Sequence, residues 1–409
     1  MRELPVAWCR VPLQDVVQSV DYGISEALGT DTRGVPVLRM NNIQDDRFDL
    51  GDLRYSSTPV PEKMLLQYGD VLFNRTNSID HIGKTAMWRD PLLVASFASY
   101  LVRLNVDVQR VLPAYLEQWL MCRQVRRQVR SISTVAVQQV NVNPSRLLEI
   151  NIDFPVDLME QQRIVDVLDS FTELEWSIEA SITKLRNVRQ GVLLASLESV
   201  ASEEPAAGWA RVSLKDVVPS AEYGLSEALN GDARGVPVLR MNNIQNGRID
   251  ADDLRYCPVP VPAKLFLRRG DVLFNRTNSM EHIGKAAMWR DELSSATFAS
   301  YLVRLIPDLQ RVTPEYLIEW LMHPLVRQRV RSISTVAVQQ VNVNPSRLRE
   351  LEIDIPVDLA EQRRIVATLE ACDEQIGREN EELNKLRDLK QGLVDDLLSG
   401  RVTASGLVA

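Results

Sequence analysis

The sequence of 409 residues contains little cysteine and histidine and no long apolar run. Its four cysteines are scattered and form no Cys-x-x-Cys pair, which is typical of reduced intracellular thiols. Its three histidines are not clustered with other metal ligands, which argues against a structural zinc site. No stretch approaches the ~18 apolar residues of a membrane span, and the first residues lack the apolar core of a signal peptide. These absences predict a cytoplasmic protein with no metal site.

The common catalytic motifs are also absent. The chain has no G-x-G-x-x-G or G-x-x-x-x-G-K-[ST] loop, no H-E-x-x-H and no G-x-S-x-G. NPSR, at Asn143 and again at Asn344, does not match the Asn/Asp-Pro-Pro-aromatic tetrapeptide of amino-methyltransferases. His81 and His282 stand in HIGK turns without an obvious Asp–Ser partner. We therefore expect no catalysis by this chain and no cofactor bound to it.

The acidic net charge of −8 is unevenly distributed. Residues 1–150 carry 17 Lys/Arg and 16 Asp/Glu, and residues 209–350 carry 19 and 15. By contrast, residues 151–208 carry 4 and 11, and residues 351–409 carry 7 and 13. The acid is therefore confined to two short segments, so the net charge does not exclude contact between the two long segments and nucleic acid.

The chain consists of two copies of one unit, related by a constant offset of 201 residues. VPVLRMNNIQ begins at Val35 and again at Val236, and GDVLFNRTNS begins at Gly69 and again at Gly270. VRSISTVAVQQVNVNPSRL, at residues 129–147, returns unchanged at residues 330–348. Each copy is a globular part followed by an acidic part, and SLESVASEEPAAG (Ser196–Gly208) links the copies.

Local patterns predict an α+β protein. VPVLRM, DVLFNR and SYLVRL are β-rich runs bounded by turn residues, and Pro113–Ser131 has apolar residues at helical spacing. Each acidic part has one apolar stripe on an otherwise polar helix, which predicts that the two helices pair as a coiled coil. The stripe residues are Ile164, Leu168, Phe171, Leu174, Ile178, Ile182, Leu185 and Val188, then Ile365, Leu369, Cys372, Ile376, Leu383, Leu386, Leu389 and Leu393.

Several repeated polar side chains are of the types that contact DNA. Arginine bonds to guanine and Asn or Gln to adenine, while Ser, Thr and Lys hold phosphates. The alternative for any single residue is that it caps a turn or pairs within the protein. The predicted DNA contacts of the first copy are Tyr22, Ser25, Arg39, Asn41, Asn42, Asn74, Arg75, Thr76, Asn77, Ser78, Lys84, Gln138, Gln139 and Asn141. Those of the second copy are Tyr223, Ser226, Arg240, Asn242, Asn243, Asn275, Arg276, Thr277, Asn278, Ser279, Lys285, Gln339, Gln340 and Asn342.

With these patterns, the chain resembles the specificity subunits of Type I restriction–modification systems. The strongest marks are FPVDLMEQQRIVDVL (Phe154–Leu168) and IPVDLAEQRRIVATL (Ile355–Leu369), which are similar to the family's helix entry. DLLSGRV (Asp396–Val402) is similar to the family's tail. The resemblance covers essentially the whole chain. One departure is that family members often carry two dissimilar recognition domains, whereas these two are near copies.

The resemblance implies two target-recognition domains separated by two spacer helices that pair as an antiparallel coiled coil, with pseudo-twofold symmetry. The predicted boundaries are 1–153 and 209–354 for the domains, 154–198 and 355–399 for the helices, 199–208 for the linker and 400–409 for the C-terminal tail. It also implies double-stranded DNA and two methyltransferase subunits as partners, joined by restriction subunits. S-adenosylmethionine, ATP and Mg²⁺ would belong to those partners. The implied docking residues are Glu160, Gln161, Arg163, Glu361, Gln362 and Arg364.

Near-identical domains related by a twofold axis predict near-identical half-sites in inverted orientation, with the spacer helices setting the gap. Two other functions remain open at this stage. A DNA methyltransferase or nuclease with an unrecognised active site is one, and a scaffold that binds only protein is the other. The scaffold would leave the repeated Arg, Asn and Gln loops unexplained.

Overall fold

The computed structural model describes residues 4–44, 47–90, 93–136, 139–197, 204–245, 247–337 and 340–406. The chain divides into two compact units. Unit 1 comprises Met1–Glu179 and Glu381–Ala409, and unit 2 comprises Ala180–Asn380. Each unit therefore holds one globular part and half of each long helix. The α+β prediction is confirmed, and the division between the units falls inside the long helices rather than at their ends.

The globular part of unit 1 is built from short strands, as its many turn residues predict. Its strands are Trp8–Pro12, Val17–Tyr22, Leu28–Gly29, Pro36–Leu38, Ile43–Gln44, Arg47–Phe48, Arg54–Ser56, Val71–Asn74, Thr76–Asn77, Thr85–Met87, Ser96–Phe97, Leu101–Val106, Thr134–Ala136, Gln139–Asn141 and Asn151–Pro155. A four-stranded antiparallel sheet has the order Thr85–Met87, Val71–Asn74, Leu101–Val106, Val17–Tyr22. Its apolar residues pack against the helices to form the main core of the unit.

The helices of unit 1 differ from the prediction at one place. They are Pro113–Met121, Arg123–Ile132, Pro144–Leu148 and Leu158–Leu197, the last passing into unit 2. The single helix predicted over Pro113–Ser131 is wrong, because Cys122 adopts an extended conformation with ψ 147° and splits it in two. The second of these helices carries the arginines Arg123, Arg126, Arg127 and Arg130, and is here called the basic helix.

Unit 2 repeats the same plan. Its strands are Trp209–Ser213, Ser220–Tyr223, Val236–Leu239, Ile244–Gln245, Arg248–Ile249, Arg255–Cys257, Val272–Asn275, Thr277–Asn278, Ala286–Met288, Thr297–Phe298, Leu302–Ile306, Thr335–Ala337, Gln340–Asn342 and Glu352–Pro356. Its helices are Leu214–Val217, Pro314–Met322, Pro324–Ser332, Pro345–Arg349 and Leu359–Leu397, the last passing into unit 1. Here the helix break falls at His323, which precedes a proline and is therefore disfavoured in the helical conformation.

The two long helices, Leu158–Leu197 (spacer helix 1) and Leu359–Leu397 (spacer helix 2), lie side by side within each unit. In unit 1, Glu175 pairs with Lys390 at 2.9 Å and Glu179 with Arg387 at 2.5 Å. Because higher numbers in one helix meet lower numbers in the other, the segments run antiparallel. The same direction holds in unit 2, where Arg189 pairs with Asp373 at 2.6 Å and Ser181 bonds to Glu379 at 3.0 Å. The pseudo-twofold relation between the units stays a prediction.

The apolar stripe of the spacer helices is buried only in part. Ile164, Leu168 and Ile182 are buried, as predicted. Leu174, Val188 and Leu389 are wrong predictions, because they are 48%, 46% and 66% exposed. Ion pairs and apolar contacts between the two helices therefore both stabilise the helix pair.

A short strand pair holds each spacer helix to its globular part. Trp8–Pro12 pairs antiparallel with Asn151–Pro155, so the helix begins at Leu158 rather than at the predicted residue 154. The side chain of Asp157 accepts a hydrogen bond from the backbone N–H of Met159 at 3.0 Å, which caps the helix start. The predicted C-terminal tail packs on the same unit, where Ala404 is fully buried.

Candidate nucleic-acid interface

Two segments singled out in the sequence meet in one small sheet. Thr76–Asn77 pairs with Gln139–Asn141, and this strand pairs with Thr134–Ala136. The Thr76 hydroxyl donates to Asn141 Oδ1 at 2.6 Å, and the matching bond in unit 2, from Thr277 to Asn342, is also 2.6 Å. The NRTNS loop and the repeated Gln/Asn segment therefore form one surface in each unit, here called the hairpin sheet.

The hairpin sheet exposes both polar and apolar side chains. Gln139 and Gln340 are exposed, while Asn141 and Asn342 are half-buried. Val135 is 80% exposed, which is unusual for a valine and leaves a methyl-bearing surface beside the amides. Gln138 and Gln339, two further predicted contacts, lie outside the described residues.

An arginine stacked on a tyrosine adjoins this sheet. The Arg75 guanidinium lies 5.4 Å from the centre of the Tyr22 ring, and Arg276 lies 5.2 Å from that of Tyr223. Tyr22 remains 53% exposed. The Arg75 backbone N–H donates to the Tyr100 carbonyl at 3.0 Å. The cation–π contact with the ring and the bond from its backbone N–H restrict where the Arg75 guanidinium can lie.

A groove continues from this stack. It has a volume of about 420 Å³ in unit 1 and about 450 Å³ in unit 2. Its lining includes the predicted contacts Ser25, Arg39 and Asn41 together with Tyr100. Arg39 donates to the Asp52 carboxylate at 2.8 Å, and this hydrogen bond lowers the pKa of Asp52. Arg39 therefore forms an ion pair with an acid of the same unit.

A lysine lies between the groove and the strand pair formed by Ile43–Gln44 and Arg47–Phe48. Lys84 Nζ donates to Gln44 Oε1 at 2.9 Å, and Gln44 Nε2 donates to the Asn41 carbonyl at 3.0 Å. Lys285 and Gln245 repeat the first contact at 3.1 Å. This chain of bonds fixes the lysine charge at the edge of the groove.

Some predicted contacts have roles inside the protein instead. Asn42 is buried, accepts from the Arg39 N–H at 2.9 Å and donates to the Asp49 carbonyl at 2.8 Å. Asn74 is fully buried, and its Oδ1 accepts from the Thr76 N–H at 3.3 Å. The structure assigns these side chains to turns rather than to DNA contact, because a buried amide cannot reach a base edge. The predicted contacts that are corrected because their side chains are buried are Asn42, Asn74, Thr76, Asn243, Asn275 and Thr277.

Gln161 and Gln362 are also corrected, since neither lies on a docking surface. Gln161 is 0% exposed; its Oε1 accepts from the Leu112 N–H, and its Nε2 donates to the carbonyls of Arg110 and Pro155, all at 2.8 Å. Gln362 makes the same three contacts at 2.8–2.9 Å. The Glu-Gln helix entry is therefore a joint between globular part and spacer helix.

The other predicted docking residues lie beside this joint. Glu160 accepts from the Ala404 N–H at 2.8 Å and pairs with Arg163 at 3.0 Å. Glu361 pairs with Arg364 at 2.7 Å. Their docking role stays a prediction.

The basic helix is the main feature missing from the predicted contacts. Arg123, Arg127 and Arg130 are exposed, and Arg126 donates to the carbonyls of Asp80 and Ile82 at 3.2 and 3.3 Å. The HIGK turn packs against this helix at Gly83, which has φ +77° and whose added Cβ would lie 2.8 Å from Val129. The four arginines spaced along RQVRRQVRS were the available signal.

Two kinds of site are absent from the described part of the chain. No group of three or more His, Cys, Asp or Glu side chains there is arranged to hold a metal ion. Among the same residues, no helix is both long and apolar enough to cross a membrane.

Comparison with known proteins gives a consistent result. The family model for the Type I restriction modification DNA specificity domain matches residues 5–185 and 207–388. A putative type I restriction enzyme MjaX specificity subunit of Methanocaldococcus jannaschii is 31% identical, over 98% of this chain and 95% of the relative. The EcoKI specificity subunit of Escherichia coli K12 is 24% identical, over 98% and 90%.

Solved structures show the same fold at low identity. A chain from a structure of the type I R-M system, described in terms of complex assembly and conformational transition, superposes with a TM-score of 0.57 at 18% identity, covering 98% of this chain and 100% of that chain. The S subunit of a type I restriction–modification system from M. genitalium gives a TM-score of 0.56 at 13% identity, covering 95% and 96%.

Proposed function

Because this chain belongs to the Type I restriction–modification DNA specificity family, we propose that its two units bind two similar half-sites in inverted orientation, separated by a fixed gap. The observation that carries this proposal is the match between the two candidate interfaces. The Arg–Tyr stack, the Thr–Asn bond and the Lys–Gln contact recur with the same partners in both units. Equal side chains in equal geometry favour equal base sequences.

Within each half-site, the exposed residues divide by chemistry. Gln139 has an exposed amide of the kind that bonds to adenine, and Arg75 has a guanidinium placed against the Tyr22 ring that suits guanine. Lys84, Ser78 and the arginines of the basic helix are suited to phosphates, which fix register without selecting sequence. Val135 offers methyl groups to a thymine methyl. The matching residues of unit 2 take the same roles, except that Pro324 and Gln328 stand in place of Arg123 and Arg127.

Catalysis is assigned to other subunits. As a specificity subunit, this chain has no active site of its own. We propose that two methyltransferase subunits, with S-adenosylmethionine, dock on the spacer helices and that restriction subunits using ATP and Mg²⁺ join them. The assembly would act on double-stranded DNA in the cytoplasm.

Methylome sequencing tests the proposal. The system is expressed with its methyltransferase subunit in a host that lacks other modification, and the methylated motif is determined. We expect an interrupted palindrome, or one differing at very few positions, with methylation on both strands. A motif with two unrelated half-sites would overturn the inverted-repeat proposal. No methylation beyond that of the methyltransferase alone would overturn the assignment as a targeting subunit.

A further inference from the structure

Unit 1 has a pocket that the proposed DNA contacts do not use. It has a volume of about 300 Å³ and is lined by the strand Arg47–Phe48, by Trp88 and by one face of spacer helix 1. Three aromatic side chains line it. The Phe48 and Trp88 rings are 5.5 Å apart in an edge-to-face arrangement, and the Arg47 guanidinium lies 4.5 Å from the centre of the Trp176 ring. A pocket of this size has room for one or two side chains.

The charges of the lining are mainly negative. Asp169 and Glu173 are one helical turn apart on spacer helix 1, and Glu117 is buried beside them. Glu117 is occupied, because it accepts from the Met87 N–H at 2.6 Å and pairs with Arg89 at 2.5 Å. Asp169 accepts only a long bond from Gln118 at 3.2 Å among the contacts described, and burial raises its pKa. A desolvated carboxylate in this position is stabilised by a cation.

The matching place in unit 2 already contains a cation. Arg189 of that unit donates to Asp373 at 2.6 Å and to Glu319 at 3.2 Å. These two acids stand at the positions that Thr172 and Gln118 occupy in the unit 1 pocket, 201 residues earlier. Trp176 is matched in unit 2 by Gly377. Unit 2 thus fills this place with its own guanidinium.

Unit 1 directs its own cations to other groups: Arg47 lies on the Trp176 ring and Arg89 pairs with Glu117, and among the contacts described neither forms an ion pair with Asp169 or Glu173. The residue that matches Arg189 is Lys390, whose Nζ pairs with Glu175 at 2.9 Å rather than with the pocket carboxylates. The pocket of unit 1 therefore keeps its aromatic wall and its acidic wall while the cation found in unit 2 is directed elsewhere.

We propose that the unit 1 pocket receives an arginine side chain of the methyltransferase subunit. The inference rests on the proposed docking of that subunit on the spacer helices, since spacer helix 1 forms one wall of the pocket. A guanidinium fits because it can stack on an aromatic ring of the pocket and donate hydrogen bonds to the carboxylates of Asp169 and Glu173. DNA does not fit, because its phosphates would face Asp169 and Glu173. Docking is therefore unequal: unit 1 takes a partner arginine where unit 2 supplies its own.

The test is the stoichiometry of the complex, measured by native mass spectrometry and by titration of the full-length chain with the methyltransferase subunit of its own system. Trp176→Gly gives unit 1 the residue of unit 2. Asp169→Asn with Glu173→Gln removes the charges without changing shape and covers the case in which Trp176→Gly fails to fold. Gly377→Trp is the matched control, since a Cβ at Gly377 meets no heavy atom within 4 Å.

We expect wild type and Gly377→Trp to bind two methyltransferase subunits alike. Trp176→Gly and the double carboxylate variant should each weaken one of the two sites by about tenfold, so that one-to-one complexes accumulate. If only Trp176→Gly weakened methyltransferase binding, the side chain in the pocket would be apolar, and the proposal of an arginine would be overturned. Two unchanged sites in both variants would overturn the pocket's role. A wild-type chain that binds no methyltransferase subunit would overturn the proposed function itself.

Discussion

The two units have the same chemistry where we expect DNA and different chemistry where they face the spacer helices. The Arg–Tyr distances are 5.4 and 5.2 Å, and the Arg–Asp bonds at the groove are 2.8 and 2.7 Å. The pairs that differ near the spacer helices include Trp176 and Gly377, and Glu117 and Ile318. The basic helix also differs, since Pro324 and Gln328 replace Arg123 and Arg127. The comparison teaches that a duplicated chain can keep two equivalent DNA-binding surfaces while its helix-facing surfaces become unequal.

This contrast allows DNA sequence recognition and subunit assembly to be tested separately, which two identical units would not allow. Sequence recognition depends on the interface residues, so it should respond equally to a change in either unit. Assembly depends on the helix-facing residues, so it should respond unequally.

The first prediction concerns Arg75 and Arg276. Replacing either with alanine removes the stacked guanidinium and should weaken binding of target DNA by roughly 10- to 100-fold, the value of one good base contact. The double variant should lose close to the product of both effects, because the two half-sites are independent. Fluorescence anisotropy on the motif found by methylome sequencing, at fixed salt, measures this.

The matched controls are Gln109→Ala and Gln310→Ala, exposed positions on turns outside the candidate interface. They should bind as wild type does. On a symmetric target, a loss for Arg75→Ala that far exceeds the loss for Arg276→Ala would contradict the equivalence of the two interfaces.

The second prediction concerns the joint at Gln161 and Gln362. Leucine at either position leaves one backbone N–H and two carbonyls without their buried partner, which should cost roughly 2–4 kcal/mol of unfolding free energy. The two substitutions should cost the same, because both glutamines make the same three bonds. Differential scanning calorimetry of the single variants measures it, with the exposed Gln162→Ala as control. Loss of stability in only one of the two would show that the joints are not equivalent.

Much of the fold could be predicted from the sequence because its signals are local. The strands at VPVLRM and DVLFNR follow β-rich composition between turn residues, and the spacer helices follow a long apolar period. The break at Cys122 could not be predicted in this way. In unit 2 the proline after His323 marks the break, but Arg123 follows Cys122, so the first copy carries no local signal.

The candidate site was predictable as a set of loops and not residue by residue. An asparagine that faces DNA and one that closes a turn look alike in sequence. Asn42 is committed to the turn because the carbonyls of Asp49 and Asp52 return to it, which only the tertiary fold determines. Gln161 is similar, since its partners at Leu112 and Arg110 are about 50 residues away. The pocket at Trp176 also depends on contacts between distant segments.

The third prediction, with the smallest effect, concerns the histidine that unit 2 has in place of Cys122. His323 is 1% exposed; its Nδ1 accepts from the Leu325 N–H at 3.2 Å, so the neutral ring carries its proton on Nε2. Burial lowers the pKa of His323 below its ordinary value of 6.5. The unfolded chain therefore binds a proton at higher pH than the folded chain, and stability that is present above about pH 6.5 declines as the pH falls below it.

His323→Cys gives unit 2 the residue of unit 1 and should remove this part of the acid sensitivity. Thermal unfolding of wild type and variant at about pH 7.5 and about pH 5.5 measures it, and parallel losses in the two proteins would show that His323 does not set the difference between the units.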